Sequence, residues 1–337
     1  MKVFLAGASG AIGRPLVPRL LAAGHEVTGM TRSEESAERI RAAGAQAAVV
    51  DVFDREALRA TVTGSGAEVV LHELTALPER ISFRDKQLYS ATNRVRGEGT
   101  RNLMEAARVA GARRFITQSI AFLYEPAGGF VKTEEDATMK DAPAPFGESI
   151  RILKQMERTV TSAEDLEGLV LRYGFFYGPG THYAGDGAYA TDVRKRRLPI
   201  VGEGTGVTSF VHIDDAADAT VAAVSRGAPG VYNITDDEPA AMRDWVPVYA
   251  AAAGAKPPRR VPVWLARLVA GRPVATFALE LRGASNEKAK RELGWEPAHP
   301  SWRTGFAESM GGSSDGASSA APARDSSEGG DGASVPD

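Results

Sequence analysis

Residues Lys2–Arg14 read KVFLAGASGAIGR, and the fold follows from this stretch. Val3-Phe4-Leu5-Ala6 is a short apolar run of strand type. It meets Gly7, Gly10 and Gly13, then passes into Pro15-Leu16-Val17-Pro18-Arg19-Leu20-Leu21, a helix start. A buried strand, a glycine turn and a helix N-terminus, in that order, form an anion cradle. Gly7 permits the tight turn, Gly10 lets backbone approach a pyrophosphate, and Gly13 lets the helix pack on the strand. The N–H groups at the helix start have no partner within the helix and face the anion. Gly7, Gly10, Ala11, Ile12 and Gly13 are therefore the expected contacts of a dinucleotide.

Outward from that turn, strand and helix patterns alternate, as in a parallel sheet covered on both faces. Strands are expected at 26–31 (EVTGMT), 45–50 (AQAAVV), 68–71 (EVVL), 114–117 (RFIT, ending at Ser119) and 169–172 (LVLR). Helices fall between them at 33–43, 55–62, 93–110 and 148–163. The second half changes character: 177–206 is glycine-rich with a basic cluster at Arg194–Arg197, and FVHI at 210–213 and VYNI at 231–234 return as sheet strands. The expected fold is a doubly wound α/β sheet over 1–175, completed by those two strands, with a smaller C-terminal α/β lobe over 176–306. From about Met310 to Asp337, Gly, Ser, Ala and Asp dominate, the composition of a disordered tail.

The totals narrow the function classes. The chain has 337 residues, a net charge of −3 and no cysteine. Such a charge offers no basic surface for nucleic acid or anionic membrane. The absence of thiols excludes disulfides and thiolate chemistry. No apolar run is long enough to span a bilayer. A cytoplasmic protein with a small-molecule substrate is expected, and nothing in the spacing of His, Asp and Glu reads as a metal site.

Taken together, GASGAIG (7–13), Asp51, NRVRGEGTRNLMEAA (93–107), Ser119, LRYGFFYGPG (171–180), FVHIDDAADA (210–219), YNITDDEP (232–239) and LGWEP (293–297) resemble the extended short-chain dehydrogenase/reductases. This is the NAD(P)-dependent epimerase/dehydratase group, and the likeness runs over about 1–306. The resemblance implies a Rossmann domain, a smaller lobe and a substrate cleft between them. It also implies a cofactor that carries the hydride chemistry while the protein orients it and handles protons. An acid at the end of the second strand would suit NAD, and an arginine the 2′-phosphate of NADP. Here Arg32 stands there and no acid comes before Glu34, so NADP(H) is preferred over NAD(H), unless Arg32 is a solvated loop residue. Asp51, with Val52, matches the family acid beside adenine, or else caps the following helix.

The resemblance breaks at the catalytic pair. The family's proton donor is a tyrosine four residues before a lysine, but here Phe146 and Ile150 occupy those positions. None of the eight tyrosines has a lysine four residues on. Ser119 matches the family's active-site hydroxyl, although an ungapped count places Ile120 in that slot. The remaining proton carriers are Tyr124, just after the fifth strand, unless it is a packing tyrosine, and Tyr177 and His182, in the loop the family uses to line its substrate pocket, unless that histidine is simply solvated. Lys154 is a weaker candidate, one helical turn beyond Ile150. Sugar-nucleotide enzymes of this family carry an arginine shortly before the strand at 210–213. Gly206-Val207-Thr208-Ser209 has none, and Arg194–Arg197 is either a substitute or a solvated helix end. The expected activity is an NAD(P)-dependent oxidoreductase or epimerase acting on a small carbonyl or hydroxy compound rather than a sugar nucleotide. The alternative is an NmrA-like sensor that binds dinucleotide without turnover. The family also dimerises through helices equivalent to 93–110 and 148–163, so a homodimer is expected.

Overall fold

In a computed structural model, residues 1–77, 89–140, 142 and 146–311 are described. Strand β1 (Lys2–Ala6) leads through the glycine turn into α1 (Gly13–Ala22), and β2 (Glu26–Thr31), α2 (Glu34–Ala42), β3 (Gln46–Val49), α3 (Arg55–Ser65) and β4 (Val69–His72) follow. Local chemistry sets the boundaries. Ser33 and Asp54 are N-caps whose side chains accept from Ser36 N and Ala57 N, and Gly66 ends α3 in the left-handed region.

After β4 come α4 (Ser90–Arg94), one π-helical turn (Val95–Gly99), α5 (Thr100–Ala110), β5 (Arg114–Ile120), β6 (Val131–Lys132), α6 (Phe146–Thr161) and β7 (Glu167–Tyr173). The helix expected over 93–110 is thus interrupted. Gly97 and Gly99 are weak helix formers, and the widened turn falls on them.

The sheet has seven strands, ordered Gly230–Ile234, β7, β5, β4, β1, β2, β3. Every neighbouring pair is parallel. Strand order reverses between β1 and β4, where the C-terminal strand ends open a crevice. One expected strand does not join this sheet. Phe210–His212 pairs instead with β8 (Phe175–Tyr177), which continues past β7 after Gly174. A Cβ on Gly174 would lie 2.7 Å from the Ser209 carbonyl, so the two segments cross at backbone contact.

Alternation along the strands splits the core in two. Val3, Leu5, Val69, Leu71, Leu169 and Leu171 face the side covered by α1, α2 and α8 (Ile213–Ser225). Phe4, Ala6, Val70, Phe115 and Val170 face α3, α5 and α6. A third, aromatic core of Tyr177, Tyr183, Phe210, Trp245, Tyr249, Trp302 and Phe306 builds the C-terminal part. Asp215 ties it to the sheet, its buried carboxylate accepting from Ala298 N (3.0 Å) and His299 N (2.9 Å). Asp214 and Asp218, at the start of α8, both hold Arg19 of α1 at 3.0 Å. The basic cluster is also a fastener, since Arg194 donates to the carbonyls of Gly185 and Ala253. The final helix runs Trp302–Gly311, so Met310 and Gly311 are helical, and the rest of the expected tail lies outside the described residues.

A Cβ on Gly13 would sit 2.2 Å from the Gly7 carbonyl oxygen. Gly13→Ala therefore has to move α1 off the turn, and it should lower the unfolding free energy by about 1–3 kcal/mol in a denaturant titration. An unchanged midpoint would show that the packing tolerates a methyl group.

Candidate functional site

A cleft of about 1210 Å³ lies over the C-terminal ends of β1, β2, β4 and β5, at the reversal of strand order. Its floor is the glycine turn. Gly7 has φ +101°, and a Cβ there would meet the Glu73 carbonyl at 2.8 Å. A Cβ on Gly10 would lie 3.2 Å from the Gly7 carbonyl. The turn is drawn together by Gly10 N donating to Gly7 O (2.9 Å), and α1 has no side-chain cap at Ile12. A pyrophosphate fits this cradle: the space is one that side chains would fill, and the uncapped helix presents N–H groups to it.

The other expected cofactor contacts line the same cleft. Arg32 is exposed at its rim beside Thr31, Ser33 and Ser36, at the N-terminus of α2. Asp51 and Val52 line it with Phe53, and the Asp51 carboxylate accepts from Phe53 N at 2.9 Å. The Arg94 guanidinium stacks 3.7 Å from the centre of the Phe53 ring. Gly7, Gly10, Ala11 and Ile12 line the cleft directly, whereas Gly13 serves it by letting α1 close on the turn.

The expected catalytic residues fare unevenly. Ser119 lines the cleft, but its hydroxyl donates to Glu157 Oε1 at 2.6 Å. Glu157 in turn holds Arg172 in a fully buried ion pair, with Nη2–Oε2 at 2.6 Å and Nε–Oε1 at 2.9 Å. Tyr124 belongs to that network rather than to the cleft. Its hydroxyl donates to Asn233 Oδ1 (2.7 Å), accepts from Arg172 (2.9 Å) and is fully buried, which pushes its pKa up to about 12. Tyr177 is also withdrawn from the cleft. Its ring is buried against Phe210 and Phe306, with the hydroxyl turned to the His299 carbonyl. His182 lines the cleft, with its ring edge-on to Tyr189. Lys154 is spent on the Met139 carbonyl.

A second cavity of about 630 Å³ opens off the cleft, and Leu77, Arg96, Ile120, Phe122, Phe175 and Tyr189 line both. Its wall is an arc of rings: Tyr89 on Phe146 (5.3 Å between centroids), Phe146 on Phe277 (4.8 Å), Phe277 on Phe122 (6.1 Å) and Phe122 stacked on Phe175 (4.3 Å). Phe146 and Ile150, the residues in place of the tyrosine and lysine, line this cavity. The position that should deliver a proton is a hydrophobic wall.

Two ionisable groups on the cleft wall have no counterpart in the sequence reading. Glu73, just past β4, is buried, with Oε1 accepting from Tyr173 at 3.3 Å and Oε2 without a partner among the described residues. Burial raises its pKa to about 8. Arg96, on the π turn, is 7 % exposed, and its Nε meets no acceptor among the described residues. Burial lowers its pKa to about 10. Behind it, the Thr100 hydroxyl donates to the Arg96 carbonyl (2.7 Å) and must accept from His72 Nε2 (3.0 Å). Burial drives the His72 pKa down to about 4, so this support is neutral.

Fold and cleft define a dinucleotide-binding α/β enzyme of the oxidoreductase or epimerase type. Residues 3–235 match the model of the NAD dependent epimerase/dehydratase family, and the chain belongs to that family. It is 46 % identical over 308 residues to a 3-diazoavenalumate denitrifying reductase of a Streptomyces species, covering 91 % of this chain and 99 % of that protein. It is 26 % identical, over 88 % of this chain and 92 % of the relative, to a 4-hydroxy-2-methyl-3-oxo-4-farnesyl-3,4-dihydroquinoline-1-oxide ketoreductase of Stigmatella aurantiaca. Among solved structures, the UDP-glucose 4-epimerase of Thermotoga maritima shares the fold with TM-score 0.72 at 22 % identity, covering 92 % of this chain and 97 % of that one. A human epimerase family protein solved with NADPH gives TM-score 0.70 at 20 % identity, with 92 % and 99 % covered.

Glu73 carries a proton in the folded state between pH 4.5, its ordinary value, and about 8. The unfolded chain releases that proton, so stability falls as pH rises through this window and levels off above it. Glu73→Gln should flatten that slope in denaturant titrations at pH 5, 6.5 and 8.5; an identical slope would place the titrating group elsewhere. Tyr124→Phe should cost about 1–3 kcal/mol of stability and leave turnover within about twofold. Turnover lost at unchanged stability would return Tyr124 to the catalytic role.

Proposed function

We propose that this chain is an NADPH-using reductase that replaces the diazo group of an aromatic or conjugated diazo acid by hydrogen. One observation carries the reading: Phe146 and Ile150 stand where a proton-delivering pair is expected, and they close an aromatic cavity. Reducing a carbonyl leaves an alkoxide that needs a proton at oxygen, which is the task of the tyrosine and lysine. Replacing a diazonium group by hydrogen has no such demand. One hydride is taken up, the C–N bond breaks, a C–H bond forms and N2 leaves, so that R–N2⁺ + H⁻ becomes R–H + N2. The 46 % identical relative is named for such a reaction, over nearly its whole length.

Bound in the cleft, the reduced dinucleotide supplies the hydride. The glycine turn and the start of α1 would hold its pyrophosphate, and Asp51, Val52 and Phe53 would hold the adenine end. Arg32, Ser33 and Ser36 offer a planar donor fork and two hydroxyls to a 2′-phosphate, which favours NADPH. The rings of Tyr89, Phe122, Phe146, Phe175 and Phe277 stack on a flat substrate and exclude water from it. The ketoreductase relative favours ketone reduction as a second reading, with Glu73, protonated at neutral pH, as the proton source. A sensor without turnover fits less well with a named reductase matched over 91 % of the chain.

The deciding experiment incubates enzyme and NADPH with an aryl diazo acid, and separately with a panel of ketones and aldehydes. NADPH loss and arene are followed, with Gly10→Val as the dinucleotide-free control. The expected result is one arene per NADPH and no ketone turnover; ketone reduction without diazo loss would overturn the proposal. Arg32→Ala should weaken NADPH about tenfold or more and NADH less than about twofold, and equal losses would remove the NADP assignment.

A further inference from the structure

We infer that the Arg96 guanidinium is the receptor for an anionic oxygen of the substrate, a carboxylate or a phenolate, at the junction of the two cavities. The inference rests on the reductase reading only for the ring that bears the anion. The subsite itself follows from geometry.

Arg96 is more than nine-tenths buried, and its Nε finds no acceptor among the described residues. Among the described residues no carboxylate forms an ion pair with it, whereas the buried arginine next in the site, Arg172, is saturated by Glu157 and Tyr124. A cation taken out of water without a counter-charge is expensive, and folded proteins keep few of them. Both cavities share Arg96 as part of their wall, where the two join.

Its surroundings are arranged to hold it rather than to neutralise it. The π turn places its Cα on the line that runs on through Thr100, Leu103 and Ala107, all buried. Its own carbonyl is fixed by the Thr100 hydroxyl, which a neutral His72 orients from behind. Tyr89 stands near it as a phenol that burial keeps protonated, so it supplies no negative charge. A guanidinium fork pairs with two oxygens of a carboxylate, or with one phenolate oxygen. The ring arc from Tyr89 to Phe175 lies beside it and accommodates the apolar body of the same molecule. The pyrophosphate cradle at the glycine turn has donors of its own in the backbone at the start of α1.

The test needs no turnover. Enzyme saturated with NADP⁺ is titrated with a hydroxycinnamic acid, its methyl ester and its O-methyl ether, by quenching of protein fluorescence, for wild type, Arg96→Met and Arg96→Lys. One of the two capped probes should bind wild type about tenfold more weakly than the parent acid, which tells carboxylate from phenolate. That difference should vanish in Arg96→Met and survive in part in Arg96→Lys. Arg96→Met should also raise the melting temperature, because it removes an uncompensated buried charge. Equal binding of the three probes to wild type, or no binding of any, overturns the subsite. So does a lower melting temperature in Arg96→Met, which would mark a structural arginine, or an equal loss of NADP⁺ affinity, which would assign it to the cofactor. Charge-dependent probe binding without diazo reduction would leave the subsite standing and remove the proposed reaction. Diazo reduction with normal kinetics in Arg96→Met would do the reverse.

Discussion

The passage of β1 into α1 is the contact on which the rest depends. Gly7 turns the chain with φ +101°, and the space a Cβ would need at Gly7 and Gly13 is already filled by the Glu73 and Gly7 carbonyls. Backbone therefore meets backbone, β4 lies close against the turn, and α1 enters with its first N–H groups exposed to the cleft. This closeness also sets Glu73, which follows β4 directly, into a dry wall. The same approach that makes the anion cradle thus raises the pKa of a neighbouring carboxyl.

A second constraint lies under the cleft. Arg172 and Glu157 form a buried ion pair between β7 and α6, and Ser119, Tyr124 and Asn233 complete its hydrogen bonds. Removing one partner of such a pair costs about 3–5 kcal/mol, because the other charge is left behind. The network spends the hydroxyls of Ser119 and Tyr124 on holding β5, β7 and α6 in register. Two hydroxyls expected at the catalytic centre thus also take part in the buried network beneath the cavity.

Much of the fold was legible because parallel strands buried on both faces read as apolar runs, and because Ser33, Asp54 and Gly66 mark helix ends by local hydrogen bonding. The dinucleotide cradle was legible for the same reason, its parts lying within seven residues. The aromatic cavity was not. Tyr89, Phe122, Phe146, Phe175 and Phe277 come from five separate elements, and no local pattern relates them. Tyr124 and Tyr177 were misplaced because spacing along a chain does not say whether a hydroxyl turns to a cleft or to a buried carbonyl. Phe210–His212 was assigned to the main sheet because its apolar pattern says that it is a strand, not which strand it pairs with. Arg96 did leave a trace: with Thr100, Leu103 and Ala107 it forms one stripe at helical spacing, a charge at the head of a buried face. Read as one unbroken helix over 93–110, the segment gives Arg96 no place of its own.

Two departures from the expected site then have a single physical explanation. Losing the tyrosine and lysine removes a proton donor and a cation from the cavity wall, while Arg96 returns a cation at another place and in another form. A lysine beside a tyrosine is suited to an oxygen that gains a proton during reaction. A guanidinium in a dry wall, which does not give up its proton at neutral pH, suits an oxygen that stays anionic throughout. Such a site favours a substrate that arrives charged at one end and reacts at the other without oxygen protonation. Its buried charge is destabilising only while the cavity is empty, since an anion entering it regains the Coulomb energy that folding gave up. The cost of folding around Arg96 is therefore expressed as selectivity among ligands, with neutral analogues of the same shape disfavoured by the charge they leave unpaired.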